Sequence, residues 1–324
     1  MLSKQNILPS EAILERYGTR LAGKTIFITG VSKDSIAGEL ALQLSSVNPA
    51  LLILSARSES RVQPIVEKIK ARNPNVATRF LKMDLGDLKD IHRAVHSLDD
   101  VPKIDHIAAV AGIMMPPYGT TADGVESQFG VNYLANFLLV KLLLPKVEAA
   151  GPHSSIIIVA SSAVRSGIIN FDDIGYSDGK TYDTLAAYGQ SNVARVMFVK
   201  RLAQKLSAKR IRVYSIDPGA VQSGLQRHVT PEMGTFIEQS YASGQALRDV
   251  DGKEYKMPPW TSSSEGAATI ITGMIDPTIE TSNGSFLHNN AVADEELHSH
   301  VVTQSNWVRL WGLSENLIGG KFTI

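Results

Sequence analysis

Two stretches of the chain hold residues that could do chemistry together. An apolar run from Ser155 to Ala160 leads into Ser161-Ser162, and Tyr188 opens a helical pattern shortly afterwards. A Tyr hydroxyl assisted by a Ser hydroxyl can hand a proton to a carbonyl oxygen, the event that must accompany hydride delivery to the carbonyl carbon. Far upstream, Thr25–Thr29 reads as a strand that runs into Gly30-Val31-Ser32-Lys33-Asp34-Ser35-Ile36-Ala37-Gly38 and then into a helix. Gly30 can take a positive φ, and a helix N-terminus offers unpaired N–H groups and partial positive charge to a pyrophosphate.

A second strand-like run, Leu51–Ser55, ends in Ser55-Ala56-Arg57-Ser58. No carboxylate stands where an NAD site holds the ribose hydroxyls, and Arg57 offers a planar fork suited to a 2′-phosphate. The expected cofactor is therefore NADP(H) rather than NAD, with Lys33 as a second positive charge in the turn.

Positioning these groups requires a particular scaffold. Short apolar runs at 25–29, 51–55, 77–83, 106–110, 155–160, 211–216 and 285–287 alternate with helical patterns at 37–46, 62–71, 88–97, 125–144 and 187–206. Fully apolar strands separated by helices predict a Rossmann-like, doubly wound α/β fold with about seven parallel strands and helices on both faces. Ligands gather at the C-terminal strand ends in such sheets, which is where the Ser pair and the glycine turn fall. The whole chain, 1–324, is expected to form one domain, with 1–20 as an N-terminal extension. The alternation breaks only at 224–264, read as a mobile lid over the substrate.

Composition narrows the partners. Lys plus Arg and Asp plus Glu both number 32 in 324 residues, so no global field exists to hold nucleic acid or an anionic membrane. There is no Cys, which removes thiolate metal sites and fits a reducing, cytoplasmic setting. No metal site is expected: His298 and His300, two apart, should point to different faces of a helix. Residues 1–20 include Lys4, Glu11, Glu15 and Arg16 and lack the apolar run of an export signal. The apolar stretch 137–144 contains Lys141, closes at Pro145, and falls short of the roughly 18–20 residues of a membrane span, so it reads as a buried helix.

The glycine turn and the Tyr188 region together resemble the short-chain dehydrogenase/reductase family over about residues 20–320. The family's Thr-Gly-x3-Gly-x-Gly turn maps onto Thr29, Gly30, Ser35 and Ala37, with one extra residue and with Ser and Ala replacing two glycines. Gly30, Ser32, Lys33, Ser35 and Ile36 would then cradle the phosphates. Asp84-Leu85 resembles the adenine-contacting pair. Ala111-Gly112 resembles the end of the Asn-Ala-Gly motif, with Val110 in place of its Asn. Pro218-Gly219-Ala220-Val221-Gln222-Ser223 resembles the segment contacting the nicotinamide carboxamide, through Pro218, Gly219, Val221 and Ser223. The resemblance assigns Asn132, Ser162 and Tyr188 as the catalytic Asn, Ser and Tyr. The long interval between Ser162 and Tyr188 points to the retinol-dehydrogenase-like branch, and the family often dimerises through the helices carrying Asn132 and Tyr188.

One position departs from the family. Where its Lys binds the nicotinamide ribose and lowers the Tyr pKa, this chain has Asn192, which can bind ribose but carries no charge. Arg195 lies on about the same helix face; a surface or interface position is the expectation, and replacement of the missing charge the alternative. The resemblance implies an NADP(H)-dependent oxidoreductase acting on a small hydrophobic carbonyl or alcohol, with Met233, Phe236, Tyr241, Met257 and Trp260 of the lid as an apolar cover. The alternative is a non-redox isomerase or cyclase, or an NADP-binding regulatory protein. The 311–320 segment is expected to be a helix near the lid, its aromatic residues in the core.

Overall fold

A computed structural model describes residues 8–257 and 260–324; Lys4 and the side chains of Phe236 and Tyr241 lie outside the described residues. Seven parallel strands form the sheet: β1 (Thr25–Thr29), β2 (Leu51–Ala56), β3 (Ala77–Lys82), β4 (His106–Ala109), β5 (Ser155–Val159), β6 (Arg212–Asp217) and β7 (Phe286–His288). An eighth, β8 (Ala291–Val292), adds antiparallel to β7, and the order across the sheet is β8-β7-β6-β5-β4-β1-β2-β3. The order reverses between β1 and β4, the switch point at which α/β sheets open a ligand crevice.

Apolar side chains fill both faces of this sheet except along the edge strand β3, where Ala77 and Lys82 are exposed. One face packs against α1 (Ser10–Tyr17), α2 (Ile36–Leu44), α3 (Glu59–Arg72) and α8 (Ser263–Ile275), centred on Leu40, Ile65 and Ile270. The other packs against α4 (Leu88–His96), α5 (Ala135–Ala150) and α6 (Thr184–Lys205), centred on Ile91, Leu139 and Val196. The N-terminal extension is built into the first layer: Ile13 and Leu14 are buried, and Ser10 Oγ donates to the Ser264 carbonyl at 2.6 Å.

The helix expected at 125–144 differs in two respects. Residues Phe129–Leu134 form a wider π-turn, in which the Ala135 N–H donates to the Gly130 carbonyl, before α5 begins. A π-turn shifts the local ladder by one residue, and here it lies at Asn132, whose carbonyl accepts from Arg195 and Asn136 instead. At the other end α5 runs through Pro145 to Ala150, held by the buried Leu144 and Val147. By length and composition Phe129–Ala150 is the one helix among the described residues able to cross a membrane, but 72% of its apolar window is buried inside the structure.

The 224–264 segment holds a short turn of helix, α7 (Pro231–Ser243) and a small hairpin, Leu247–Arg248 with Glu254–Tyr255. Trp260–Thr261 then pairs with Ala220–Val221. The hairpin is fastened by the Val250 N–H to the Arg165 carbonyl at 3.1 Å and by Ser299 to Asp251. Trp260 is 42% exposed, and Met233 and Met257 are half-buried.

The C-terminal helix is α10 (Gln304–Leu317), after the short α9 (Ser299–Val302). It packs on α6, not near the lid. Trp311 is buried against Phe137 of α5 at 5.0 Å and stacks on Phe322 at 4.9 Å, and the Tyr133 hydroxyl bonds Ser314. The aromatic residues are core, as expected.

Candidate active site

The cleft at the switch point is about 520 Å³. Its floor is the β1 turn. Gly30 has φ of 78°, and a Cβ there would lie 2.8 Å from the Ala111 Cα, so the turn passes against the end of β4 only because residue 30 has no side chain. Ser35 caps α2: its Oγ accepts from Gly38 N at 3.0 Å and from Ser32 N at 3.2 Å. Gly38 completes the turn, since a Cβ there would fall 2.3 Å from the Ser32 carbonyl oxygen. The close-packing glycine is thus present one position after the Ala37 that the family pattern indicated.

Ser32, Lys33 and Ile36 line the same cleft, as do Asp84, Leu85, Ala111, Gly112 and Ser223. At the β2 end, exposed Arg57 faces it, accompanied by two cations that the sequence pattern did not mark, Arg61 at the start of α3 and Arg227 from the turn after Ser223. Basic spacing near a strand end was their only signal. Pro218, Gly219 and Val221 do not line it: Gly219 makes the positive-φ turn, at 80°, and Val221 is buried, such that a Cβ on Gly266 of α8 would meet it at 2.7 Å. After them, Ser223 caps the Gly224–His228 turn in a capping box with Gln226.

Tyr188, in the first turns of α6, is buried. Burial pushes its phenol above the ordinary range; the Arg195 charge and a hydrogen bond with Ser161 pull it down, Asp217 pushes it up, and a hydrogen bond with Asn192 pulls it down. Ser161 Oγ accepts from Ala163 N at 3.2 Å, and Ser162, the serine that the family pattern indicated, follows it. β5 ends at Val159, and Ser162 starts the following turn.

Asn132 is a strut. Its Oδ1 accepts from Ile113 N at 2.8 Å, and its Nδ2 donates to the Ile113 carbonyl at 2.9 Å and to Ser191 Oγ at 3.0 Å. It thereby ties the end of β4 to α6. Asn192 is fully buried: its Nδ2 donates to the Tyr188 carbonyl at 2.8 Å, and its Oδ1 accepts from Arg195.

Arg195 overturns the expectation of a surface or interface residue, being 3% exposed. Its Nε donates to the Asn132 carbonyl at 2.5 Å, Nη2 to the Ala111 carbonyl at 2.9 Å, and Nη1 to Asn192 Oδ1 at 3.3 Å. Gly112 makes room for it, because a Cβ there would lie 3.0 Å from Nη2. Val110 leaves the Asn-Ala-Gly motif without its amide, and the guanidinium on the Ala111 carbonyl supplies polar contact to that loop instead.

Asp217 at the end of β6 is buried with His288 and Arg165, and the half-buried Glu296 pairs with both Arg165 and His288. Burial raises the Asp217 carboxyl, with His288 opposing. Arg165 also lies over the Tyr255 ring of the lid hairpin at 4.9 Å. His298 and His300 do not diverge as expected: their rings stack at 6.2 Å, because His298 precedes α9 rather than belonging to it. His298 Nε2 meets the Val164 carbonyl at 2.9 Å and His300 Nε2 accepts from Ile169 N at 3.1 Å, so both fasten the chain after Ser162.

Comparison with known proteins fits this geometry. A family model for short chain dehydrogenase matches residues 24–234. Human "Retinol dehydrogenase 13" is 32% identical over 92% of this chain and 86% of its own length, and human "Retinol dehydrogenase 11" is 35% identical over 79% and 85%. Among solved structures, an uncharacterised protein from Mycobacterium paratuberculosis superposes with a TM-score of 0.67 at 23% identity, covering 94% of this chain and 96% of that one. A Burkholderia cenocepacia short chain dehydrogenase in complex with NADP gives 0.62 at 18% identity, covering 84% and 100%. The chain belongs to the short-chain dehydrogenase/reductase family, is retinol-dehydrogenase-like within it, and is an oxidoreductase.

Proposed function

We propose that the chain interconverts a small hydrophobic carbonyl compound and its alcohol with NADP(H), Tyr188 serving as proton donor and acceptor. One observation carries this reading. The Ala111-Gly112 wall of the dinucleotide cleft is tied directly to the Tyr188 helix, through Arg195 on the Ala111 carbonyl and Asn132 on Ile113. The cleft fits a phosphorylated dinucleotide. The Gly30 turn leaves room for a pyrophosphate at the α2 N-terminus, and Arg57 and Arg61, which line the β2 end of the cleft, would suit a ribose 2′-phosphate. When bound, the nicotinamide supplies or accepts the hydride at the substrate carbon.

The chain's own groups do the rest. Tyr188 gives its proton to the carbonyl oxygen in reduction and takes the alcohol proton in oxidation, assisted by a hydroxyl of the Ser161-Ser162 pair. Asn132 fixes the wall, and the lid with Trp260 covers an apolar substrate. A chain without cysteine accords with a cytoplasmic setting, where we place it.

The test is NADPH oxidation with hydrophobic aldehydes and ketones by wild type and Tyr188→Phe. Turnover in the wild type and a loss of about a hundredfold or more in Tyr188→Phe is expected. NADPH binding without hydride transfer would favour the second reading, a non-redox isomerase or regulatory protein. The observation behind that second reading is Asn192, which brings no charge and whose amide is occupied by the Tyr188 carbonyl and Arg195.

A further inference from the structure

The residue that departs from the family, Asn192, and the buried cation beside it belong to one arrangement. Tyr188, Asn192 and Arg195 follow each other along one face of α6, at i, i+4 and i+7. Seven residues rise about 10 Å along a helix, and long helical side chains lean toward the N-terminus, so the Arg195 guanidinium reaches back toward Tyr188. There it contacts Asn192 Oδ1 at 3.3 Å, whose own Nδ2 sits on the Tyr188 carbonyl.

Burying a guanidinium is costly unless it is compensated. All three of its contacts are neutral oxygens, two backbone carbonyls and one amide, and among the described residues no carboxylate ion-pairs with it. The resting site therefore holds a fixed cation without a fixed anion. Ionised Tyr188 is that anion, formed in reduction when the phenol proton leaves. The nearby Asp217 charge opposes the ionisation, and the Arg195 charge favours it.

We propose that Arg195 is the cation of this active site, a positioning residue that replaces the ammonium absent at position 192 by orienting the Asn192 amide and stabilising the Tyr188 phenolate. The proposal rests on Tyr188 being the proton-transfer residue. The cation is present at neutral pH, since burial brings Arg195 down only to about 10, and the charge of ionised Tyr188 opposes that lowering, so the two charges stabilise each other. Gly112 is part of the device, being the position whose missing side chain lets the guanidinium in.

The experiment is an ultraviolet difference titration of tyrosinate in the full-length chain, with Tyr188→Phe subtracting the other tyrosines, run on wild type, Arg195→Gln and Arg195→Gln/Asn192→Lys. The Tyr188 midpoint is expected to rise by about one pH unit or more in Arg195→Gln and to return in the double variant, where the charge is restored one turn away. The alkaline-side pH profile of kcat/KM moves with it wherever turnover is measurable. An unchanged midpoint in folded Arg195→Gln overturns the proposal. Should that variant not fold, the double variant decides alone: a midpoint within about half a unit of wild type supports interchangeable cations, and one about a unit or more higher overturns them. Absence of hydride transfer in the wild type would sink the redox reading and leave the titration able to judge Arg195.

Discussion

Gly167 and Gly189 touch backbone to backbone: a Cβ on Gly189 would lie 2.8 Å from the Gly167 Cα, and one on Gly167 would lie 2.3 Å from the Gly189 carbonyl carbon. This contact seats the turn after β5, with Ser161 at its start, against the helix that carries Tyr188. Gly189→Ala is expected to destabilise the fold by about 1–3 kcal/mol, as overpacking does. It should also lower kcat more than dinucleotide affinity, since Ser161 is displaced while the cleft is not. Urea denaturation and NADPH fluorescence titration check both; parent-like stability and kcat would show that the two backbones part without moving Ser161.

Arg57 should separate the two dinucleotides. A charge-assisted phosphate contact is worth about 1.5–3 kcal/mol, so Arg57→Ala is expected to weaken NADPH by about tenfold to a hundredfold. NADH, which lacks the 2′-phosphate, should change by about twofold or less. Equal weakening of the two, measured by titration at one salt concentration, would remove Arg57 from the phosphate.

His288 makes stability depend on pH. Burial alone would push its imidazole down, but the hydrogen bond to Glu296 and the charge of Asp217 outweigh it and hold the ring above the usual 6.5. A basic group with a raised folded-state pKa adds stability that is complete below the unfolded value and is lost as pH rises through the folded one. Urea midpoints of wild type are therefore expected to fall as pH rises above the ordinary imidazole value of about 6.5 and through the higher folded-state one. The difference between wild type and His288→Gln should shrink over that window. A difference that is flat with pH would mean the ring stays neutral.

Much of the scaffold was legible because its signal is compositional. Most strands are buried on both faces and so read as apolar runs, the edge strand β3 being the exception, and the observed bounds differ from the predicted ones by only a residue or so. The site was legible at Tyr188, Gly30 and Arg57, where residue type alone restricts the chemistry. It was not legible where partners are backbone atoms. Nothing in the letters announces that the Ala111 and Asn132 carbonyls are free to solvate a guanidinium, so Arg195 was expected outside. Likewise Ser161 and Ser162 are chemically identical, and nothing in the letters says which hydroxyl serves Tyr188.

Trp311 is the test of the C-terminal cover. It touches Phe137 and Phe322, with Phe198 at 6.0 Å, and is 7% exposed, so Trp311→Ala should cost about 3–5 kcal/mol. Activity at low temperature, where the fold survives, should persist because no atom of the cleft is touched. Denaturant midpoints and NADPH binding below the transition measure the two effects separately.

The aromatic seam of α5 and α6 is covered by α10 and the tail to Phe322, all from the same chain. A cover supplied in cis obeys no mass action. Dilution from micromolar to nanomolar cannot strip it, so this seam of α5 and α6 keeps its cover in a lone molecule.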